Sequence, residues 1–308
     1  MTTTQIGSGE FTYRWHEDWA KIPDTPPGRN NGRTHGVGVL DDGRVVVFAQ
    51  TVPGVLFYNA QGQLMDSWGD RFTGAHGLEI VKEDGIEYFW LVDQNSCEVC
   101  KTTVDGELVL RLSPPTDENM FNGRYMPTWA AVNPANGDIW VADGYGGSGV
   151  YRHASDGTYL GRLTGEEGAG EFKCSHGLKF GPDGNLYIAD RGNHRVTVYD
   201  GEGRYLRHND DATHSPCGFD FFDGLILVPE LFTGVKLLSH DLDVVAELGA
   251  SPDVTPDTKP EGWPQVDRAA LIKPGRFNSP HGACFGPNGD IYVVEWIVGG
   301  RITKLEKI

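Results

Sequence analysis

The sequence has 308 residues, 42 of them glycine, and its 26 basic and 43 acidic residues give a formal net charge of −17. Glycine is roughly twice as frequent as in average proteins, without the period of collagen, and no apolar run reaches the roughly 18 residues of a membrane-spanning helix. An acidic surface repels phosphate backbones and anionic lipids, so we expect a small-molecule substrate and neither nucleic acid nor a membrane as partner.

The first residues, MTTTQIGSGEFTYRWHEDW, contain no basic n-region and no apolar h-region. They therefore do not have the pattern of a secretory signal. The five cysteines are an odd number, which is typical of a buried, reduced set in a cytosolic protein. We expect a cytoplasmic location, and the oligomeric state stays open.

A unit of roughly 40 to 50 residues repeats along the chain. Its clearest copy is SHGLKFGPDGNLYIADRGNHRVTVYDGEGRYLRHN at residues 175–209, where alternating apolar residues and Asp-Gly-type turns predict four short strands. Six copies begin at Thr34, Ala75, Pro127, Ser175, Pro216 and Pro280. Four-stranded repeats of this length are typical of propeller blades, so the sequence predicts an all-β, six-bladed β-propeller.

The sixth copy stops after its third strand, RITKLEKI. We expect the segment EFTYRWH, residues 10–16, to supply the missing strand and to close the ring. This predicts a single propeller domain over residues 1–308. The Pro-rich stretch from Ser251 to Phe277 is then a long connection between blades 5 and 6, and its Trp263 and Arg268 suggest a lid.

One register of the repeat concentrates histidines. The position before the first strand of each unit holds His35, His76, Thr128, His176, Cys217 and His281. Because the innermost strands of a propeller line its central channel, these residues are expected to converge. Alternate blades provide His76, His176 and His281, and three imidazoles with an open fourth position are typical of catalytic zinc, although copper, iron and nickel also accept imidazole. The alternative is that the His-Gly pair is a turn device of the repeat.

A second register lies at the end of each second strand. It holds Gln50, Asp93, Asp143, Asp190, Glu230 and Glu295. We expect the aspartates to tie down loops through backbone amides. Tyr145 and Arg191 follow two of these aspartates closely and should point toward the histidines. A tyrosine whose pKa a metal lowers can act as a base, and an arginine can clamp a substrate carboxylate.

These residues, on blades that resemble NHL repeats, carry a family resemblance over residues 33–308. The order His76, Asp143-Gly-Tyr145, His176, Asp190-Arg191, Pro280-His281 resembles peptidyl-α-hydroxyglycine α-amidating lyase. The resemblance implies that His76, His176 and His281 bind zinc or another divalent transition metal, that Tyr145 is the catalytic tyrosine, and that Arg191 binds substrate.

The chain departs from that family at three positions. Gln50 stands where the family has a second active-site arginine, and we expect Arg33 or His35 to compensate, with Gln50 and Glu230 also near the substrate. Gly282 stands where the family has an acidic residue that helps a structural calcium, which argues against calcium here. Gly146 replaces a disulfide cysteine of the family.

Two other patterns are interpreted as structural. Gly144, Gly146 and Gly149 satisfy G-x-G-x-x-G, but a strand follows instead of the helix that a dinucleotide needs. Cys97 and Cys100 form C-x-x-C without a second pair, so we expect structural cysteines. The histidines off the register are expected at the surface or in loops, namely His153, His194, His208, His214 and His240. His16 lies on the expected closing strand.

The sequence therefore favours a metal-dependent lyase that cleaves a small α-hydroxy acid or carbinolamide, with Tyr145 as base and Arg191 as carboxylate clamp. One alternative is a metal-dependent hydrolase such as a lactonase, which Glu230 and Glu295 keep open. The other is a non-enzymatic NHL scaffold, because fold alone does not imply function.

Overall fold

The computed structural model describes residues 4–250 and 272–308, where nearly all regular structure is antiparallel β-sheet. Contacts group these residues into two compact units. The first unit comprises the described residues of Met1–Thr73 and Phe219–Ile308, and the second unit comprises Gly74–Gly218. Most of the predicted connection from Ser251 to Phe277, including Trp263 and Arg268, lies outside the described residues.

The N-terminal part of the first unit contains two strands, a short helix and blade 1. The strands β1 (Thr4–Ser8) and β2 (Phe11–Ala20) are followed by helix α1 (Pro26–Asn30). Blade 1 is formed by β3 (Thr34–Val39), β4 (Val45–Ala49), β5 (Val55–Tyr58) and β6 (Leu64–Trp68).

The second unit contains blades 2, 3 and 4. Blade 2 is formed by β7 (Ala75–Glu83), β8 (Ile86–Asp93), β9 (Glu98–Thr103) and β10 (Leu108–Arg111). A 3₁₀ turn (Phe121–Gly123) precedes blade 3, which is formed by β11 (Trp129–Val132), β12 (Ile139–Ala142), β13 (Val150–His153) and β14 (Tyr159–Leu163). Blade 4 is formed by β15 (Ser175–Phe180), β16 (Leu186–Asp190), β17 (Arg195–Tyr199) and β18 (Tyr205–Asn209), with a 3₁₀ turn (Arg191–Asn193) after β16.

The C-terminal part of the first unit contains blades 5 and 6. Blade 5 is formed by β19 (Asp220–Phe222), β20 (Leu225–Pro229), β21 (Val235–Leu238) and β22 (Val244–Leu248). Blade 6 is formed by β23 (Pro280–Phe285), β24 (Ile291–Glu295) and β25 (Arg301–Lys307), joined by β1 and β2 in the order β1-β2-β25-β24-β23. Six antiparallel sheets of this kind are the blades of a β-propeller, which confirms the predicted fold class.

The N-terminal strand completes blade 6 as the sequence predicts. Within β2, Tyr13 pairs with Lys307 and Trp15 with Leu305, both on β25. Strand β1 is an additional fifth strand that the sequence pattern does not predict. It forms because Gly9, at φ 56°, allows a tight turn after Ser8, so that β1 folds back on β2.

Burial follows the order of the strands within a blade. The second strands are mostly apolar, and every residue of β4, β12, β16 and β24 is buried. The fourth strands are more exposed. In β18, half-buried and exposed residues alternate, as expected for a sheet edge with one face in water. In the predicted hairpin turns of blade 4, Gly184 and Gly203 have φ of 76° and 86°, which only glycine adopts at little cost. In residues 4–250 and 272–308 we find no helix of the length and apolarity that crossing a bilayer requires.

Candidate functional site

The two histidines of the second unit lie within strands at β-bulges. Ala75 pairs with Asp93 and Leu78 pairs with Leu91, so β7 holds an extra residue around His76. The same shift occurs in β15, where Ser175 pairs with Asp190 and Leu178 with Ile188, around His176. The sequence placed these histidines before the strands, and the strands begin earlier because the residue before each histidine pairs with an aspartate. A bulge re-aims the local side chain, which suits a functional position.

A glycine after each histidine allows neighbouring backbones to approach closely. A Cβ atom on Gly77 would lie 2.6 Å from the carbonyl oxygen of Thr128, and one on Gly177 would lie 2.2 Å from that of Cys217. Real Cβ atoms are not found this close to a backbone oxygen, so a side chain here would force the two strands apart. The His-Gly pair is therefore a packing requirement of the site as well as a feature of the repeat.

Backbone carbonyls orient both imidazoles. His76 Nδ1 lies 2.7 Å from the carbonyl oxygen of Thr128, and His176 Nδ1 lies 2.7 Å from the carbonyl oxygen of Cys217. Both histidines are fully buried. A carbonyl oxygen only accepts, so each Nδ1 carries the proton and each Nε2 presents a lone pair. This is the arrangement in which metal-binding histidines are commonly held.

The Tyr145 hydroxyl lies between the two Nε2 atoms. It is 3.2 Å from Nε2 of His76 and 3.1 Å from Nε2 of His176, and its ring meets both imidazoles edge-on. A phenol has one proton and can donate it to only one of these nitrogens. The other nitrogen then faces an oxygen lone pair, and a bound cation would relieve this repulsion.

Burial keeps His76 in its neutral form. Desolvation lowers the pKa of His76 to about 3, assisted by the positive charge of Arg191, although the hydrogen bond to Thr128 opposes the shift. Desolvation also raises the pKa of Tyr145, while Arg191 lowers it. The metal-free site thus holds at least one neutral imidazole and a protonated phenol, and neutral imidazole is the form that binds a transition metal.

Arg191 brings a positive charge to the same cluster. It follows β16 directly, and its guanidinium lies 5.3 Å from the centre of the Tyr145 ring. Nη2 lies 3.3 Å from Sγ of Cys174, and Nη1 lies 3.9 Å from Sγ of Cys217. Burial alone would lower the pKa of Arg191, but Tyr145 and the two thiols raise it, so the charge persists.

No carboxylate lies within ion-pair distance of Arg191 in the part of the chain that the structure describes. Arg191 is half-buried. A charge that is shielded from water is ordinarily paired, because desolvation without a counter-ion is costly. A carboxylate on a ligand could accept two parallel hydrogen bonds from this guanidinium.

The aspartates of the second register tie down loops, as the sequence predicts. Asp93 accepts the backbone N–H of Gly74 at 2.7 Å, and Asp190 accepts that of Lys173 at 2.8 Å. Asp143 accepts the N–H groups of Met126 and Gly147 at 2.5 and 2.7 Å. Burial raises the pKa of Asp143 to about 6, although these hydrogen bonds oppose the shift. Each aspartate thus attaches the segment before a first strand to the end of a second strand.

The remaining predicted site residues belong to the first unit. The rings of His35 and His281 lie 4.3 Å apart, and both residues are buried. The Arg33 guanidinium stacks 4.6 Å above Trp296, and Nη1 donates to Asn31, whose amide in turn donates to Gln50 at 3.1 Å. Glu230 is fully buried. The roles of these residues, and of His281 as a metal ligand, stay predictions.

Three expectations about other residues have clear outcomes. Strand β13 follows Gly149, as expected. The five cysteines are thiols and form no disulfide, and the Cys97 thiol lies 3.3 Å from the carbonyl oxygen of Tyr125. His153, expected at the surface or in a loop, is instead buried at the end of β13, and its ring lies edge-on to Tyr159 at 5.8 Å. That expectation was wrong because the pairing of β13 with β14 covers the imidazole.

Two residues beside the site, Thr128 and Cys174, had no role predicted from the sequence. The available signal for Thr128 was its place in the histidine register, between His76 and His176. Cys174 carried a weaker signal, since it lies two residues before His176.

Comparisons with known proteins agree with this architecture. An NHL repeat profile matches residues 172–199. The chain is 27% identical to human NHL repeat-containing protein 3 over 208 residues, which is 62% of this chain and 57% of that protein. It is 31% identical to Xenopus laevis peptidyl-glycine alpha-amidating monooxygenase A over 145 residues, or 43% of this chain and 15% of that protein.

A third relative is the probable peptidyl-alpha-hydroxyglycine alpha-amidating lyase of Caenorhabditis elegans, 28% identical over 155 residues, or 47% of this chain and 42% of that protein. The matches thus span less than two thirds of each relative. Among solved structures, a streptogramin B lyase superposes with a TM-score of 0.61 over 97% of this chain and 99% of that chain. A gluconolactonase from Xanthomonas campestris superposes with a TM-score of 0.65 over 99% and 95%. Both are 14% identical to this chain, so they support the propeller fold alone.

Proposed function

We propose that this protein is a metal-dependent lyase that cleaves a small carboxylate-bearing α-hydroxy acid or carbinolamide. The observation that carries the proposal is the cluster of His76, His176, Tyr145 and Arg191 in the second unit. It combines two metal-binding nitrogens, one acid-base group and one carboxylate-binding group. The similarity to amidating enzymes, at 28% and 31% identity, supports the same reaction class.

His76 and His176 are the proposed ligands of zinc or another divalent transition metal. Their Nε2 lone pairs face the same tyrosine hydroxyl, and their Nδ1 protons are held by carbonyls, so the donor set fits such an ion. The third ligand, His281, is proposed from the sequence register. When bound, the ion supplies Lewis-acid polarisation of a substrate oxygen.

In the proposed reaction, Arg191 binds the substrate carboxylate and orients the α-carbon toward Tyr145. The ionised phenol of Tyr145 accepts the proton of the substrate hydroxyl. As that oxygen forms a carbonyl, the C–N or C–O bond breaks and its electron pair leaves with the departing group. Tyr145 then returns the proton to that group, so atoms and charges balance. Burial raises the pKa of Tyr145 overall, and the positive charge of Arg191 opposes that shift. A bound metal ion would lower the pKa further and favour the ionised phenol.

A lactonase-type hydrolase is the second candidate, because the register at the ends of the second strands also holds carboxylates that could bind a metal. Its carboxylate ligands would include Glu230 and Glu295. However, Oε1 of Glu295 accepts the N–H groups of Asn278 and Ser279, and Oε2 pairs with Arg301 at 2.8 Å. Since those oxygens already have structural partners, Glu295 is a poor metal ligand, and the lyase is the better-supported candidate.

Elemental analysis and a substrate assay test the proposal. We expect about one transition-metal ion per chain, and glyoxylate release from an N-acyl-α-hydroxyglycine. His176→Ala should abolish metal retention, whereas His194→Ala, at an exposed histidine of the same unit, should retain both properties.

Three outcomes would contradict the proposed lyase. Protein without a stoichiometric metal and without glyoxylate release would exclude this function. Calcium-dependent lactone hydrolysis that survives loss of His176 would favour the hydrolase. Full affinity for a protein or small-molecule partner after His→Ala changes at 76, 176 and 281, without catalysis in the wild type, would favour the scaffold.

A further inference from the structure

Thr128 lies at the centre of the contacts that hold the candidate site together. It precedes β11 in blade 3 and occupies the register position that holds His76 in blade 2 and His176 in blade 4. Its side chain is fully buried. The conformation of this one residue therefore affects three blades of the second unit.

The Thr128 carbonyl orients His76. The distance of 2.7 Å from His76 Nδ1 to this oxygen fixes the proton on Nδ1 and turns Nε2 toward Tyr145. The backbone of Thr128 is held in turn, because its N–H donates to the carbonyl of Ala142 at the end of β12. The His76 ring is thus oriented by backbone groups of blade 3.

The Thr128 hydroxyl links the backbone of His176 to the backbone of Gly144, the residue before Tyr145. Oγ1 lies 2.6 Å from the carbonyl oxygen of His176, which is its shortest contact with an acceptor. The N–H of Gly144, the residue before Tyr145, donates to the same Oγ1 at 3.2 Å. A hydroxyl donates one proton and accepts at its lone pairs, so these two bonds form together. The carbonyls of Ala142 and Ser175 are more distant acceptors, at 3.3 and 3.4 Å.

The space around the hydroxyl admits little else. A Cβ atom on Gly144 would lie 2.9 Å from Oγ1 of Thr128 and 2.7 Å from the carbonyl oxygen of Ser175. Blades 3 and 4 therefore approach each other closely at this point. A β-branched side chain has few rotamers, so Thr128 presents its hydroxyl in this narrow space with little loss of side-chain entropy.

We infer that Thr128 is a positioning residue that sets His76, His176 and Tyr145 relative to one another. Its carbonyl orients His76. Its hydroxyl links the backbone of His176 to Gly144, the residue before Tyr145. The consequence for catalysis rests on the proposed function, whereas the positioning itself is a property of the metal-free protein.

The test compares three variants of the full-length chain. Thr128→Val keeps the shape of the side chain and removes the hydroxyl, and Thr128→Ser keeps the hydroxyl. Thr197→Val is the matched control, because Thr197 is a fully buried threonine of the same unit whose hydroxyl has no hydrogen-bond partner in the described structure. If Thr128→Val does not fold, Thr128→Ala replaces it.

The first readout is made on metal-free protein by NMR. We expect the Gly144 amide proton to move upfield in Thr128→Val, with altered imidazole nitrogen shifts for His176, and we expect Thr128→Ser and Thr197→Val to resemble the wild type. The second readout is cobalt(II) titration, followed by the visible absorption of the bound ion. Loss of such a supporting group typically costs 10–100-fold in metal affinity, which we expect for Thr128→Val, with the other two variants within about threefold of the wild type.

The outcomes separate this inference from the proposed function. If the wild type binds no cobalt but the metal-free spectra change as expected, the proposed function fails and the positioning role stands. Unchanged spectra and unchanged cobalt affinity in Thr128→Val overturn the inference. It is equally overturned if Thr128→Ser is as impaired as Thr128→Val, or if Thr128→Val lowers only the melting temperature, since those results describe packing.

Discussion

Two arginines, one in each unit, have opposite surroundings. Arg301 on β25 has no exposed side-chain surface, and its guanidinium pairs with Glu295 at 2.8 Å and with Glu17 at 2.6 Å. Arg191 in the second unit lies against a tyrosine ring and two thiols, with no carboxylate within ion-pair distance among the described residues.

The difference separates a structural cation from one that is available to a ligand. The charge of Arg301 is neutralised by the fold, across strands that include the N-terminal β2. The charge of Arg191 is retained and stays available for an anion that the described residues do not supply. A ligand carboxylate would restore at Arg191 the pairing that Arg301 already has.

Replacing Arg301 should give the largest loss of stability. Arg301→Gln leaves the buried carboxylate of Glu295 without its cation, and breaking such a pair costs about 3–5 kcal/mol. Urea unfolding monitored by tryptophan fluorescence measures this loss. A change below about 1 kcal/mol would contradict the structural role. Arg29→Gln, at an exposed pair with Asp24, is the control and should change stability by less than about 1 kcal/mol.

Replacing Arg191 should greatly reduce activity and change stability little. Under the proposed function, Arg191→Gln lowers kcat/KM about 100- to 1000-fold, or about 3–4 kcal/mol of transition-state binding. The free energy of unfolding should fall by less than about 1 kcal/mol, because no buried carboxylate loses its partner.

A substrate analogue provides the control for Arg191. A carboxamide in place of the carboxylate should be a poor substrate for the wild type and should be little affected by Arg191→Gln. Equal losses on both substrates would show that Arg191 does not bind the carboxylate.

His153 extends the comparison to a base that is buried without a counter-charge. Its effect on the pH dependence of stability should be the smallest of the three predicted effects. Burial lowers the pKa of His153 to about 4, and in the described structure neither ring nitrogen has a hydrogen-bond partner. The unfolded chain takes up this proton near pH 6.5, whereas the folded chain does so only near pH 4. Stability is therefore complete above pH 6.5 and is lost as the pH falls toward 4, by about 2–3 kcal/mol at pH 4.5.

Urea unfolding at pH 7.5 and pH 4.5 checks this prediction. His153→Leu should lose about 2–3 kcal/mol less than the wild type between the two pH values. His240→Leu, at an exposed histidine, should follow the wild type. An identical pH dependence for His153→Leu and the wild type would show that His153 is not the group responsible.

Much of the fold was predictable because blade strands follow local patterns. The apolar run Val45–Ala49 predicts a strand and the Asp-Gly pair at Gly184 predicts a hairpin turn, each from only a few residues. The N-terminal strand was predictable from the count of strands in blade 6. Strand β1 was not, because TQIGS has little apolar pattern and becomes a strand through pairing with β2.

The candidate site was partly predictable for the same reason. A repeat turns a sequence register into a position on a blade, so His76, His176, Tyr145 and Arg191 were expected close together, and the second unit brings them within hydrogen-bond or ring-contact distance. The linking role of Thr128 and the thiols beside Arg191 depend on distances between blades, about which a register carries no information.

The sequence by itself determined the number of blades, the turn glycines and the residue types that the site combines, because these follow from short-range periodicity and repeat phase. Only the tertiary structure decided the protonated nitrogen of each imidazole, the environment of Arg191 and the burial of His153. Those properties depend on carbonyls, thiols and rings that come from neighbouring strands and blades, and angstrom-scale differences in their approach determine whether a polar group is paired, neutral or available to a ligand.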